Sequence, residues 1–327
     1  MTSLPELASE LGAASFHVKR DDLSAEPYGG GKARKLELLL GQAVADGRSQ
    51  VVTFGGMGSH HAAATAIYGR QLGLQVHLFL LPQPRTDEVC RVVLTCQAQG
   101  ATLHLAGSLP GAQRKAARLA ATSPGDYQIL PAGGTAPLGN VGFINAALEL
   151  ASQVEAGELP APDELFIALG TMGSAVGLAI GLSVAELDTT IVAVRASSHR
   201  AASWRKLAAL HRETVVWLRS FDPSFPDVGL DPARLRIEDR YLGRGYSLPT
   251  TRGQAATQIA AQHGLRLDST YTAKAFAALL AAAGDQSKGK GLLFWHTHSA
   301  RRLEPEGADL GAVPAAIRGY ASCPTGR

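Results

Sequence analysis

The chain has 327 residues, 46% hydrophobic and 18% charged, more than a single hydrophobic core usually serves, which excludes a peptide hormone, a staple-dependent module and a disordered chain. Its formal charge of +3 comes from 31 Lys+Arg against 28 Asp+Glu with no long basic run, a balance that gives little support to nucleic-acid or membrane-surface partners. Cys90, Cys96 and Cys323 lack paired metal spacing, and the opening MTSLPELASE lacks the charged-then-apolar layout of a signal peptide, so a cytoplasmic location is expected.

From residue 50 onward, short β-rich runs alternate with Ala/Leu-rich segments of helical period. VVTF at 51 to 54 leads through a glycine turn to a helix near His60; VHLFLL at 76 to 81 precedes a helix near 87 to 98. TLHLAG at 102 to 107 precedes one near 111 to 122, and YQILPA at 127 to 132 precedes one near 139 to 155. The pattern restarts with ELFIAL at 164 to 169 and continues through TTIVAV at 189 to 194 to LLFWHT at 292 to 297. Such repetition predicts parallel sheets with helices on their faces. Pro160 and Pro162 mark a seam, so two α/β lobes are expected. Residues 165 to 185 carry no charge over a bilayer-spanning length, yet Gly170, Thr171, Gly173 and Ser174 interrupt them, which fits a buried strand, a turn and a packed helix better than a membrane span.

Two glycine turns sit where a strand hands over to a helix, Gly55 to His60 and Gly170-Thr171-Met172-Gly173-Ser174. Free N–H groups and the helix dipole favour an anion there, although tight turns also need glycine for steric reasons. Neither is a Walker loop or a dinucleotide fingerprint, and Ser59 and Ser174 lack the frame of a nucleophile elbow. A third feature, Tyr28-Gly29-Gly30-Gly31-Lys32-Ala33-Arg34-Lys35-Leu36-Glu37, puts a lysine behind a glycine hinge at the start of a probable helix, in a chain with only eight lysines. Most lysines are surface residues, but this one is a candidate Schiff-base amine.

Lys19-Arg20-Asp21-Asp22-Leu23, followed by the glycine-lysine run above, resembles the "KRDDL … GGNKxRKLE" opening of the 1-aminocyclopropane-1-carboxylate deaminase and D-cysteine desulfhydrase family. Further matches follow in order: the turn ending at Ser59, Pro131 to Thr135 before Gly139, Gly170 to Ser174, Gly245-Tyr246, Asp268 to Lys274, and His296-Thr297. The resemblance covers about residues 15 to 300. It implies a pyridoxal 5'-phosphate enzyme of fold type II, the tryptophan-synthase-β-like fold, in which Lys32 carries the cofactor as a Schiff base and later moves the substrate α-proton. Ser59 would act on the proton or the substrate carboxylate, with His60 and His61 beside it. The Gly170, Thr171, Met172, Gly173 and Ser174 turn would hold the phosphate, Tyr246 and Tyr271 would face the substrate, Thr297 would contact the cofactor, and Thr272 would approach the pyridine nitrogen. A neutral hydroxyl there leaves the ring a weaker electron sink, which suits β-elimination.

The chain also departs from the family's pattern. Gly31 stands where Asn is usual, His60 where a second Asn contacts the phenolic oxygen, and His298-Ser299 replaces a glycine pair. An imidazole in place of an amide adds a group that titrates near neutral pH. Two other readings compete: His296 and His298, two apart on a strand, could form a metal pair with His60 or His61, or the lobes could be a non-catalytic binding cleft. A hinge lysine argues against the latter.

The expectation is therefore a two-lobed α/β fold with residues 1–37 and 151–327 as the larger cofactor-binding domain and 38–150 as the smaller inserted one. Its function would be D-cysteine desulfhydrase-like α,β-elimination giving pyruvate and ammonia, with 1-aminocyclopropane-1-carboxylate deamination as the alternative. A small amino acid as partner, no nucleic acid, no membrane, no metal, and a homodimer complete the expectation.

Overall fold

The computed structural model describes residues 1–322; Cys323 lies outside the described residues. In chain order the elements are β1 (Thr2–Ser3), α1 (Pro5–Leu11), β2 (Ser15–Lys19), α2 (Gly31–Ala45), β3 (Gln50–Gly56), α3 (His60–Gln71), β4 (Gln75–Leu81) and α4 (Asp87–Ala98). Then come β5 (Thr102–Leu105), α5 (Leu109–Ala120), β6 (Tyr127–Ile129), α6 (Pro137–Glu155), β7 (Glu164–Leu169), α7 (Gly173–Val184), β8 (Thr190–Arg195) and α8 (Trp204–Phe221). The chain closes with β9 (Leu235–Glu238), α9 (Thr251–Gln262), α10 (Thr272–Ala283), β10 (Gly291–Trp295) and α11 (Ala315–Ala321). The uncharged stretch at 165 to 185 is β7, its turn and α7, and no described helix is long and apolar enough to cross a membrane.

Contacts divide the chain into two units, Met1–Lys35 with Ala136–Ala300, and Leu36–Thr135 with the described residues from Arg301 on. The first seam therefore falls inside α2. The second puts α6 in the larger unit, whereas the proline-based seam left it in the smaller, and the C-terminal part joins the smaller unit. Glycine explains the place of α6: a Cβ on Gly177 would lie 2.4 Å from the Asn140 carbonyl oxygen, and one on Gly181 2.6 Å from that of Ile144. So α7 packs backbone-close on α6.

The larger unit is built on a six-stranded sheet in the order β1-β2-β10-β7-β8-β9, parallel except for the β1–β2 pair. Its strands bury side chains on both faces. Val18, Phe166, Val192 and Phe294 pack with Phe276 and Leu279 of α10 on one side, while Leu165, Ile167, Ala193 and Trp295 pack with α6 and α7 on the other. Long apolar runs without alternation are what two covered faces require. Register aligns the carboxyl ends: Trp295 pairs with Lys19, Phe294 with Phe166, and Leu169 with Arg195. The loops after β2, β10, β7 and β8 thus leave the same edge of the sheet, the edge at which open α/β sheets place their ligands.

The smaller unit holds a parallel sheet in the order β5-β4-β3-β6 with a core of Val52, Phe54, Phe79, Ala106, Ala112 and Ala116. The C-terminal part is fastened to α4 and the segment before it: Arg85 Nη1 donates to the Gly319 carbonyl at 3.2 Å, and Cys90 Sγ lies 3.2 Å from that of Ala321.

Candidate active site

In the larger unit the site begins with a buried acid. Asp21 accepts from Arg34 Nε at 2.9 Å and from Trp295 Nε1 at 2.8 Å, and its carbonyl accepts the Gly30 N–H at 2.7 Å. Arg34 also reaches Glu149 Oε2 at 2.9 Å, and Lys19 Nζ donates to Glu149 Oε1 at 2.5 Å. Arg20 closes a fork on Asp22 with both bonds at 2.8 Å. The "KRDD" run is thus a set of ties that fixes the loop from β2 into α2. The glycines after it are required by contact. Gly30 has φ +100°, and its Cβ would lie 2.7 Å from the Thr297 carbonyl oxygen. The Gly31 N–H donates to that same oxygen at 3.0 Å.

Lys32 follows, at the first turn of α2. Burial pushes its ammonium pKa down and the Asp268 carboxylate opposes that fall, the direction needed for an amine that must be neutral to act as a nucleophile. One turn on, Lys35 is buried with Nζ 5.8 Å from the Phe143 ring centroid, and burial, then Lys32, lower its pKa strongly.

Asp268 organises the start of α10. Its Oδ2 accepts the N–H groups of Thr270 and Tyr271 at 2.9 and 2.8 Å, and its Oδ1 accepts Thr272 N–H at 2.9 Å and Thr272 Oγ1–H at 2.7 Å. The Asp268 N–H donates back to Thr272 Oγ1 at 2.8 Å. The one hydroxyl proton of Thr272 is therefore placed on Asp268. Tyr271 then donates to Tyr246 Oη at 3.0 Å, the rings crossing at 70°. Burial raises the Tyr271 pKa well above the ordinary phenol value, and Tyr246 adds to the rise.

The Tyr271 ring packs on the turn after β7, where a Cβ on Gly170 would lie 3.0 Å from its Cε1. Ser197 Oγ donates to the Gly170 carbonyl at 2.8 Å. Met172 holds φ +72° and precedes α7 without a side-chain cap. A non-glycine residue in that region is strained, and uncapped first-turn N–H groups form an anion site. Gly173 and Ser174 open the helix, and Thr171 is exposed at the turn.

Thr297 contributes its carbonyl to Gly31 and its methyl beside the same glycine. His296, ahead of it, is fully buried with Nε2 3.9 Å from Asp22 Oδ2; burial pushes its pKa down to about 4. His298 and Ser299 are buried, and the Ser299 carbonyl accepts from Arg266 at 3.2 Å.

In the smaller unit, Ser59 caps α3 by accepting the Ala62 N–H at 3.3 Å. His60 turns Nε2 to within 3.3 Å of Glu88 Oε1 on α4. His61 is buried, its Nε2 2.9 Å from Thr53 Oγ1, whose own proton goes to the Leu130 carbonyl at 3.1 Å. So Nε2 of His61 carries the proton in that bond. Of the residues singled out in the sequence, Lys32, Gly170 to Ser174, Tyr246, Tyr271, Thr272 and Thr297 fall in the larger unit, and Ser59, His60 and His61 in the smaller. Asp268, Lys35 and Lys274 stand inside runs that the sequence singled out, but without a role of their own.

A profile described as "Pyridoxal-phosphate dependent enzyme" matches residues 1–298. The chain is 32% identical to nocardicin C-9' epimerase of Nocardia uniformis subsp. tsuyamanensis over 310 residues, 93% of this chain and 91% of that protein. It is 31% identical to the D-cysteine desulfhydrase of Salmonella newport over 311 residues, 92% of this chain and 91% of that one. It is 29% identical to a putative 1-aminocyclopropane-1-carboxylate deaminase of Pyrococcus horikoshii, with 90% and 87% covered. The solved structure of an ACC deaminase homologue superposes with a TM-score of 0.78 at 29% identity, covering 91% of this chain and 88% of the other. The buried amine, the uncapped turn and these likenesses agree: the chain belongs to the pyridoxal-phosphate dependent enzymes.

Proposed function

We propose that the protein catalyses α,β-elimination on a small amino acid, releasing hydrogen sulfide, pyruvate and ammonia from D-cysteine and water. The cofactor fits the residues present. The uncapped start of α7, with Met172 at φ +72°, suits a phosphate, and the Lys32 amine is pushed toward its neutral form. When bound, pyridoxal phosphate supplies an electron sink that makes the bonds at the substrate α-carbon labile.

Lys32 Nζ would hold the cofactor and then take the α-proton. Tyr271 Oη, whose raised pKa keeps its proton at neutral pH, and Tyr246 Oη would face the departing sulfur. Ser59 Oγ, with His60 and His61 on the same helix, would serve the substrate carboxylate. The feature that supports the choice of reaction is the Thr272 side chain at the start of α10, a neutral hydroxyl where a carboxylate would be needed to hold a proton on the pyridine nitrogen. Without that carboxylate the sink would be shallower, sufficient for a good leaving group and poorly suited to opening a cyclopropane. The proposal extends to a homodimer in the cytoplasm without a nucleic-acid partner; the near balance of 31 Lys+Arg and 28 Asp+Glu supports the last point.

The test is a comparison of rates on the purified holoenzyme. D-cysteine or a β-chloro-amino acid should give keto acid faster than 1-aminocyclopropane-1-carboxylate does. Equal or reversed rates would favour the deaminase reading, and turnover of neither would place the protein among non-catalytic or slow binding forms.

A further inference from the structure

Lys274 carries no role in the reaction just proposed, yet it is fully buried on α10. Its Nζ donates to two backbone carbonyls, those of Leu242 and Gly245, each at 3.0 Å. An ammonium is costly to bury, and two main-chain oxygens are a sparse return unless their position matters. Gly245 has φ +145° and directly precedes Tyr246. Lys274 itself lies three residues after Tyr271, so one helix start bears both Tyr271 and the clamp on the segment that delivers Tyr246. The two phenols come from segments 25 residues apart and meet at 3.0 Å. Burial lowers the Lys274 pKa while the Asp268 carboxylate opposes that, and Asp268 is the same group that fixes the Tyr271 backbone.

We propose that Lys274 is a positioning residue: its ammonium pins the 242–245 segment through the Leu242 and Gly245 carbonyls and so sets Tyr246 Oη against Tyr271 Oη. A hydroxyl held by a loop alone would wander, and a misplacement of about 1 Å at a reacting group can cost on the order of a hundredfold in rate. Referring both phenols to α10 removes that freedom. The inference rests on the proposed function only for its effect on turnover.

Lys274→Met keeps much of the stem volume and removes the donor; Lys274→Gln keeps a shorter neutral donor. In the holoenzyme, Lys274→Met should speed amide hydrogen exchange of the 242–247 segment and move the alkaline phenolate titration of the tyrosine pair. It should also lower kcat on the best amino acid by roughly tenfold to a hundredfold, with a smaller change in KM. Lys274→Gln should fall between. Borohydride fixation of cofactor to the Lys32 peptide should be unchanged in both variants. Exchange and titration need no knowledge of the substrate, so failure of the elimination proposal leaves them readable. Unchanged exchange and titration in a folded variant would overturn the role of Lys274, and so would failure of both variants to fold, which would make it a residue of the fold instead.

Discussion

Phe143 occupies the space that a side chain at position 31 would need: a Cβ on Gly31 would lie 2.8 Å from Phe143 Cζ, with Thr297 Cγ2 at 3.2 Å on another side. Gly31, where the family pattern expected from the resemblance has Asn, is thus packed against an aromatic ring on α6. Gly31→Ala should lose about 1–3 kcal/mol, the usual range for overpacking. Phe143→Leu should relieve part of that loss in the double variant. A urea-unfolding cycle that shows simple additivity would remove the link between the two positions.

Asp21 concentrates three further ties to the same loop. Its carboxylate takes Arg34 and Trp295 while its carbonyl holds Gly30, two residues ahead of Lys32. Asp21→Asn leaves the Arg34 guanidinium without one of its two carboxylates and should cost about 3–5 kcal/mol. Because the loop carries Lys32, cofactor retention on dialysis should fall as well. A variant with wild-type unfolding and full cofactor content would contradict the account of the "KRDD" run as scaffold.

Much of the sheet architecture was legible in the sequence because parallel strands covered on both faces read as unbroken apolar runs; β4, β7 and β8 begin and end within a residue of the expected limits. The short strands β1 and β9 were not legible, since two to four half-buried residues carry no period. The place of α6 was hidden for another reason: its tie to α7 is made by Gly177 and Gly181, whose lack of a side chain is a tertiary fact with no local signature. At the site, Lys32 and the Gly170 turn announce themselves by position at helix starts. Lys274 did not, because its partners are main-chain oxygens around 30 residues earlier in the chain.

Lys32 gives the most direct chemical check. Its lowered pKa, from burial, favours the neutral amine that condenses with an aldehyde, and its place directly behind the glycine hinge sets it apart from Lys35 and Lys274. Reconstituted protein should absorb in the visible, and borohydride should fix the cofactor on the peptide containing Lys32. Lys32→Ala should abolish that labelling and reduce turnover by several orders of magnitude, while circular dichroism stays as in the wild type. Labelling at Lys35 or Lys274 would reassign the carrier.

His296 ties stability to pH. The ring is buried, and its pKa is about 4 in the folded chain against 6.5 as a free side chain. The charged groups that bear on it are Asp22, Arg20 and Asp268, of which the two acids raise the value and the arginine lowers it. Unfolding lets the imidazole take a proton, so the unfolded state binds more protons between pH 6.5 and about 4. The contribution of the neutral ring is thus complete above pH 6.5 and is lost progressively as the pH falls toward 4. Between pH 7 and pH 5 the loss amounts to about 2 kcal/mol from this residue. His77, His104 and His211, whose pKa values burial also lowers, act in the same direction. His296→Asn should therefore be less stable than the wild type at pH 7 and show a shallower decline on acidification. Urea midpoints for the two proteins at pH 7, 6 and 5 decide it: parallel declines would mean that the buried ring is protonated in the folded chain and that Asp22, 3.9 Å away, holds it as an ion pair.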